Sequence, residues 1–186
     1  MNYKKIAKFI KDARRLIIWN NGKNQWISDG VAIFPVLGMP MLSELEMLMF
    51  LGLYDKADSI SVSSPILPEF MRELRYDIDD TMLEKTGPAL LSCGEVCRTF
   101  FTERGALVFK NKYFEAVENK AGDDPITYFW NVNNSGCVTV FLGFDPVAVI
   151  LPIKVDERIV AAYRSLADQL QIASANKEGD ENESEG

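Results

Sequence analysis

The first apolar positions of the chain recur at helical spacing. At about 100° per residue, Ile6, Phe9, Ile10 and Ala13 fall on one side of residues 3–14. Lys4, Lys8, Lys11 and Arg15 fall in a narrow stripe on the other. This pattern predicts an amphipathic helix that buries one face and holds a row of cations in water. The period then changes. Leu16–Asn20 is an apolar, strand-forming run, and Asn21-Gly22 is a turn signal. Gln25–Val36 reads as a second strand, interrupted at Ser28-Asp29-Gly30, where Gly30 is a candidate bulge. The two strands make a predicted hairpin, and Pro35, Gly38 and Pro40 mark the loop after it.

Ser43-Glu44-Leu45-Glu46 is a capping box: the serine hydroxyl accepts from the helix's third N–H and Glu46 reaches back. The helix it opens runs to about Leu51, where Gly52 can end it. It is apolar nearly all round, which predicts burial on more than one side, in a core or an interface. Ser59–Ser63 alternates as a half-buried strand closed by Pro65 and Pro68. Residues 69–76 are a short helix candidate, and residues 77–86 are polar and acidic. Pro88–Thr102 reads as a helix carrying Leu90, Leu91, Val96, Phe100 and Phe101, and Leu107–Glu118 as strand or mixed structure. After a turn at Asp123-Asp124-Pro125, three strands are expected at Ile126–Val132, Cys137–Leu142 and Ala148–Ile153. Asp156–Ala173 is a second amphipathic helix with Ile159, Val160, Tyr163, Leu166, Leu170 and Ala173 as its stripe. No internal repeat is visible residue by residue. The expected fold is α+β: an antiparallel sheet with helices packed on it, in a single domain over residues 1–175. Residues 176–186 hold five acids, one lysine and no apolar side chain, and are expected to be a disordered acidic tail.

Charge sharpens the first element. Residues 1–15 carry a net +5, whereas the whole 186-residue chain carries −7, so the remainder is strongly acidic. That balance argues against a protein coated in positive charge but allows one local basic surface for a polyanion or an acidic partner. Lys4 and Lys5 sit in the helix's first turn, where the helix dipole disfavours cations, a mild cost that points toward function. The tail can mask the stripe from within the same chain. No apolar run reaches the ~18–20 residues that span a bilayer, and the N-terminus lacks the apolar stretch of a secretory signal. A cytoplasmic protein without membrane contact is the expectation.

Candidate chemistry is sparse. The chain has no histidine, which removes the commonest general base and metal ligand and any Ser-His-Asp or Cys-His site. Cys93, Cys97 and Cys137 make no disulfide framework. The spacing of Cys93 and Cys97 would put both on one helix face, but small buried thiols are the plainer reading. Asp77, Asp79, Asp80 and Glu84 lack the pattern of a calcium loop. No glycine-rich phosphate loop is present. No cofactor and no metal are expected. Trp19, Trp26, Phe34, Phe129 and Trp130 lie in strand candidates, as core residues or as a stacking platform for single strands. Met39, Met41, Met47 and Met49 line either an adaptable groove or a buried helix.

Two segments resemble the bacterial sliding clamp, the beta subunit of DNA polymerase III. Ile27-Ser28-Asp29-Gly30-Val31-Ala32 resembles a clamp strand with a Thr-Asp-Gly turn. Val149-Ile150-Leu151-Pro152-Ile153 resembles the closing strand of the clamp chain. In that family modules pack sheet against helices, and basic helices line the DNA side, a place the resemblance gives to the N-terminal helix. A clamp chain has three modules and this chain has length for one, so a ring would need self-assembly or a partner. The leading expectation is therefore a non-enzymatic binding or scaffold protein, clamp-like, that meets DNA or a DNA-bound complex through Lys4, Lys8, Lys11 and Arg15. The alternatives are a homo-oligomeric interaction module using the apolar helix at Leu45–Leu51, of phage or mobile-element type, and a histidine-free carboxylate enzyme.

Overall fold

The computed structural model describes residues 1–68, 81–83, 89–92, 94–102, 105–118, 125–130, 136–156, 158–159, 161–166 and 169. The expected helix at 69–76, most of the acidic segment after it, Asp123-Asp124 and the tail lie outside them. The fold is α+β. Helix α1 (Tyr3–Ala13) starts at Asn2, whose side chain accepts from Lys5 N at 3.2 Å. It stops at Arg14, which takes a left-handed conformation (φ 52°) and closes the helix on the Ile10 and Lys11 carbonyls. Strand β1 (Arg15–Asn20) follows at once and forms the expected hairpin with β2 (Gln25–Ser28), Trp19 opposite Trp26.

The expected single strand over Gln25–Val36 is two strands. At Ser28-Asp29-Gly30 the chain reverses into β3 (Ala32–Val36), which pairs back on β2 from Gln25↔Val36 to Ser28↔Ile33. The turn is built by side chains. Ser28 Oγ accepts from Gly30 N at 2.8 Å, and Asp29 Oδ1 accepts from Val31 N and Ala32 N at 2.9 and 3.0 Å. Gly30 at φ 99° supplies the conformation that other residues resist. A Ser-Asp-Gly turn that satisfies its own amides needs no bulge.

Helix α2 (Glu44–Phe50) has its capping box, with Glu46 accepting from Ser43 N at 2.8 Å. A 3-10 turn (Tyr54–Ser59) then leads to β4 (Ser61–Ser63), which pairs with β1 in parallel, so the sheet is mixed rather than wholly antiparallel. The short β5 (Thr81–Met82) lies at the other edge of the same sheet.

The helix expected over Pro88–Thr102 is instead strand. Strands β6 (Leu90–Ser92), β7 (Glu95–Thr102) and β8 (Gly105–Lys110) form a separate antiparallel sheet, with Gly94 (φ 77°) at the first reversal. Val96, Thr99, Phe100, Phe101 and Thr102 are strand formers, and cross-strand pairs such as Phe100↔Leu107 decide the outcome over helical spacing. Cys97 therefore lies buried in a strand, not on a helix face beside residue 93. The ambiguous Leu107–Glu118 divides into the end of β8 and helix α3 (Asn111–Glu118). Strands β9 (Ile126–Trp130), β10 (Val138–Leu142) and β11 (Asp145–Ile150) form an antiparallel meander of three strands as expected, with β11 lying three residues earlier than the expected Ala148–Ile153.

The large sheet has the order β4-β1-β2-β3-β11-β10-β9-β5. It contains a repeat that the residues did not reveal. One helix and a three-stranded meander, α1-β1-β2-β3, match a second set, α3-β9-β10-β11. The two sets meet where β3 and β11 run antiparallel, Ile33 opposite Val149 and Ala32 opposite Ile150. An antiparallel pair has a local two-fold axis normal to the sheet, and here that axis exchanges the two sets. The helices stay on the same face and touch, with Asn2 N donating to Ala116 O at 2.9 Å and Phe9 edge-on to Tyr113 at 5.0 Å. One core joins α1, α2 and α3 to Leu16, Ile18, Ile27, Phe34, Val140 and Ile150 from alternate strand positions, and to Phe100 and Phe109 of the second sheet. The opposite face buries Ile17, Trp19, Trp26, Ile33, Leu67, Cys137 and Val149.

Two expected apolar helix faces are corrected. In α2, Met47 and Leu48 are buried, whereas Leu45 and Met49 are 51% and 53% exposed, so the helix is buried on one side only. Residues 158–159 and 161–166 are helical, but Ile159 and Leu166 of the predicted stripe are 50% and 46% exposed. This helix is held to the second sheet by polar contacts: Tyr163 OH donates to Ala89 O, and Arg164 donates to Thr102 O at 3.3 Å.

Asp29 also ties the two halves together. Its second carboxylate oxygen accepts from Tyr113 OH of α3 at 2.6 Å, and Asp29 is buried. Asp29→Ala strands two backbone N–H groups and one hydroxyl and is expected to cost about 2–4 kcal/mol in urea unfolding, whereas Tyr113→Phe costs about 1–2 kcal/mol. Equal and negligible losses for both would remove this bond from the structure's support.

Candidate nucleic-acid interface

The amphipathic reading of α1 places Ile6, Ala7, Phe9 and Ile10 in the core and leaves Lys4, Lys8 and Lys11 in solvent. Arg15 does not join them. Arg14 turns the chain out of the helix, so helical projection fails beyond it, and Arg15 is the first residue of β1. Its side chain lies across the β2–β3 turn, where a Cβ on Gly30 would sit 3.5 Å from Nη1. Ala13, expected on the buried face, is exposed at the last residue of α1. The helical row is thus three lysines. Lys5 points to the neighbouring helix and pairs with Glu115 at 3.2 Å.

Cations that the sequence reading missed stand on the α3 side of α1. Lys112, at the start of α3, lies 5.7 Å from the Phe9 ring centroid and 5.4 Å from that of Tyr113. Glu95 takes both Lys112 and Lys110 at 2.6 Å. The hydrogen bonds from Lys110 and then Lys112 hold the Glu95 carboxyl below its ordinary range. Reading 88–102 as helix hid this cluster, because Glu95 and Lys110 come together only through strand pairing.

Behind it lies a half-buried network. Arg98 stacks on Phe114 at 4.4 Å, donates to Asn111 Oδ1 at 3.2 Å, and forks onto both Glu118 oxygens. Tyr128 OH also donates to Glu118, and Asn111 donates to Glu115, the partner of Lys5. Burial alone would raise the Glu118 pKa, but the Arg98 and Tyr128 hydrogen bonds and the Arg98 charge outweigh it and lower it. Burial and then Glu118 push the Tyr128 hydroxyl up to about 12. The network locks α3 to β7 and β9 and fixes the platform beside α1.

Other candidates recede. Trp19, Trp26, Phe34 and Trp130 are buried, and Phe129 packs edge-on to Phe141 at 5.5 Å, so these aromatics are packing residues. Among the described residues no group of three or more His, Cys, Asp or Glu side chains could hold a metal ion. Asp77, Asp79, Asp80 and Glu84 lie outside the described residues. Among the described residues that line the groove along 156–166, the one acid is Asp156, already paired with Arg158 at 2.8 Å. No described helix is long and apolar enough to cross a membrane. The two clamp-like segments are spatial neighbours at the centre of the sheet, with Leu151 N donating to Val31 O at 3.0 Å. No family model, no curated protein and no solved structure matches the chain.

Because the Glu118 pKa is lowered on folding, its contribution to stability is complete above the ordinary carboxylate range and is lost as pH falls through the depressed value. Urea unfolding from pH 7 down to pH 3 is expected to show a gap between wild type and Glu118→Gln that narrows as the pH drops. A gap constant across that window would remove the charged pair as its cause.

Proposed function

We propose that this protein is a non-enzymatic, clamp-like binding protein that meets duplex DNA, or a DNA-bound complex, through the outer face of α1. The supporting observation is the arrangement of the helix layer. Two matching halves put α1 and α3 side by side on one face of one sheet, and Lys4, Lys8 and Lys11 line the outside of α1. From Lys4 to Lys11 the row extends about 10 Å, a length over which a duplex presents roughly six phosphate charges. Lysine is a hydrated point charge with no fork to read a base edge. The contact is therefore with backbone, independent of sequence, and salt-dependent.

The resemblance at residues 27–32 and 149–153 favours the same reading. Both segments meet at the junction of the two halves, so the local likeness and the repeated architecture concern one part of the molecule. The overall charge of −7 argues against attraction spread over the whole surface.

Titration of a labelled duplex at low and high salt tests the proposal. Binding is expected to weaken steeply with salt. Lys4→Glu with Lys8→Glu and Lys11→Glu is expected to weaken low-salt binding strongly, and in the binding that remains three lost phosphate contacts reduce the salt slope by about 3. Absence of binding at low salt, or binding unchanged by the triple substitution, rejects the proposal. Deleting residues 176–186, which carry five acids and one lysine, is expected to tighten low-salt binding by removing an internal competitor. Unchanged affinity would assign the tail to solubility.

A further inference from the structure

A second surface, which uses none of the three lysines, remains unpartnered. Leu37, Met39, Met41, Leu45, Met49 and Tyr54 are each between 42% and 53% exposed. They lie in one stretch of chain, before, on and after α2. Tyr3 OH accepts from Leu37 N at 2.9 Å, and the Tyr3 ring meets Phe50 edge-on at 5.0 Å, so Leu37 is held near the last residue of α2. At the other end the Gln25 amide grips both sides of Leu42, donating to its carbonyl at 2.7 Å and accepting from its N–H at 3.1 Å. Ser43 then caps α2. Residues 37–43 therefore run back along α2 from its last turn to its first, bringing Met39 and Met41 beside the helix. Leu45 and Met49, four residues apart, share one helix face. Met47 and Leu48 already fill the core side, so the outward leucine and methionines are not needed for packing. A polar residue would be tolerated there, and exposed apolar side chains gathered on one short segment mark a binding surface.

The charge around the patch selects the occupant. Glu44, Glu46, Asp55 and Asp58 are exposed in the same segment, against one cation, Lys56. A second copy docked by the same face would set acid against acid. We infer that this surface receives a basic amphipathic helix from a partner protein, its apolar anchors seated among the methionines and its lysines or arginines meeting the acidic rim. Unbranched methionine side chains adapt to varied anchors.

The test uses the full chain and two synthetic helical peptides, one of leucine and lysine and one of leucine and glutamate in the same positions. Calorimetric titration is expected to show binding of the leucine–lysine peptide and none of the leucine–glutamate peptide. Leu45→Ser with Met49→Ser, with a wild-type melting temperature, is expected to bind the basic peptide at least tenfold more weakly. Asp55→Asn with Asp58→Asn is expected to weaken it about three- to fivefold and to reduce its salt dependence. Equal affinity of wild type and the serine variant overturns the inference, since the attraction would then be to acidic charge elsewhere. Equal binding of both peptides overturns the charge argument. A dimer in sedimentation that the serine substitutions dissolve identifies a second copy as the occupant and overturns it as well.

Discussion

The antiparallel pairing of β3 with β11 organises the rest of the molecule. Each half on its own is a helix over a three-stranded meander, a unit with little core and two open edges. Joining them through Ala32, Ile33, Val149 and Ile150 makes one continuous sheet and removes one edge from each half. The same junction sets the two-fold relation, and that relation brings α1 against α3. Had β3 and β11 paired in parallel, no such axis would exist and the two helices would not share an equivalent place on one face.

Polar side chains then fix how the halves sit. Asp29 closes the β2–β3 turn with one oxygen and reaches α3 of the other half with the second. The Arg98–Glu118–Tyr128 cluster holds α3 to β7 and β9, and Asn111 and Glu115 extend that connection to Lys5 of α1. These bonds are directional where apolar packing is not, so they specify one seating of the helices over several of similar burial. Loss of a partner would leave a half-buried polar group unsatisfied, which is the main energetic reason for the network to form completely.

Two surfaces of opposite character follow from this frame. The face of α1 is lysine-rich and fully solvated, suited to long-range attraction of a polyanion. The segment around α2 is apolar and rimmed by acids, suited to a short-range contact with an apolar, basic helix. Tyr3 belongs to both elements: it opens α1 and braces Leu37 and Phe50. A load on one surface is therefore placed close to the other, and a chain that meets DNA and a protein partner at once would do so through adjoining elements.

Local rules read from the residues were enough for α1, for the β1–β2 hairpin, for the capping box at Ser43 and for the three closing strands. In each case the apolar period or the turn chemistry is contained within a few neighbouring residues. They were enough also for Lys4, Lys8 and Lys11, whose exposure follows from the buried face opposite. They failed for Arg15, where one left-handed residue, Arg14, ends the helical projection. They failed over 88–102, where pairing with β8 outweighs a mixed apolar pattern. The repeat, the meeting of residues 27–32 with 149–153, the Glu95–Lys110–Lys112 cluster and the exposure of Leu45 and Met49 were decided by tertiary structure. Each depends on contacts between residues distant in sequence, and an apolar residue in a sequence carries no mark of whether another element will arrive to cover it.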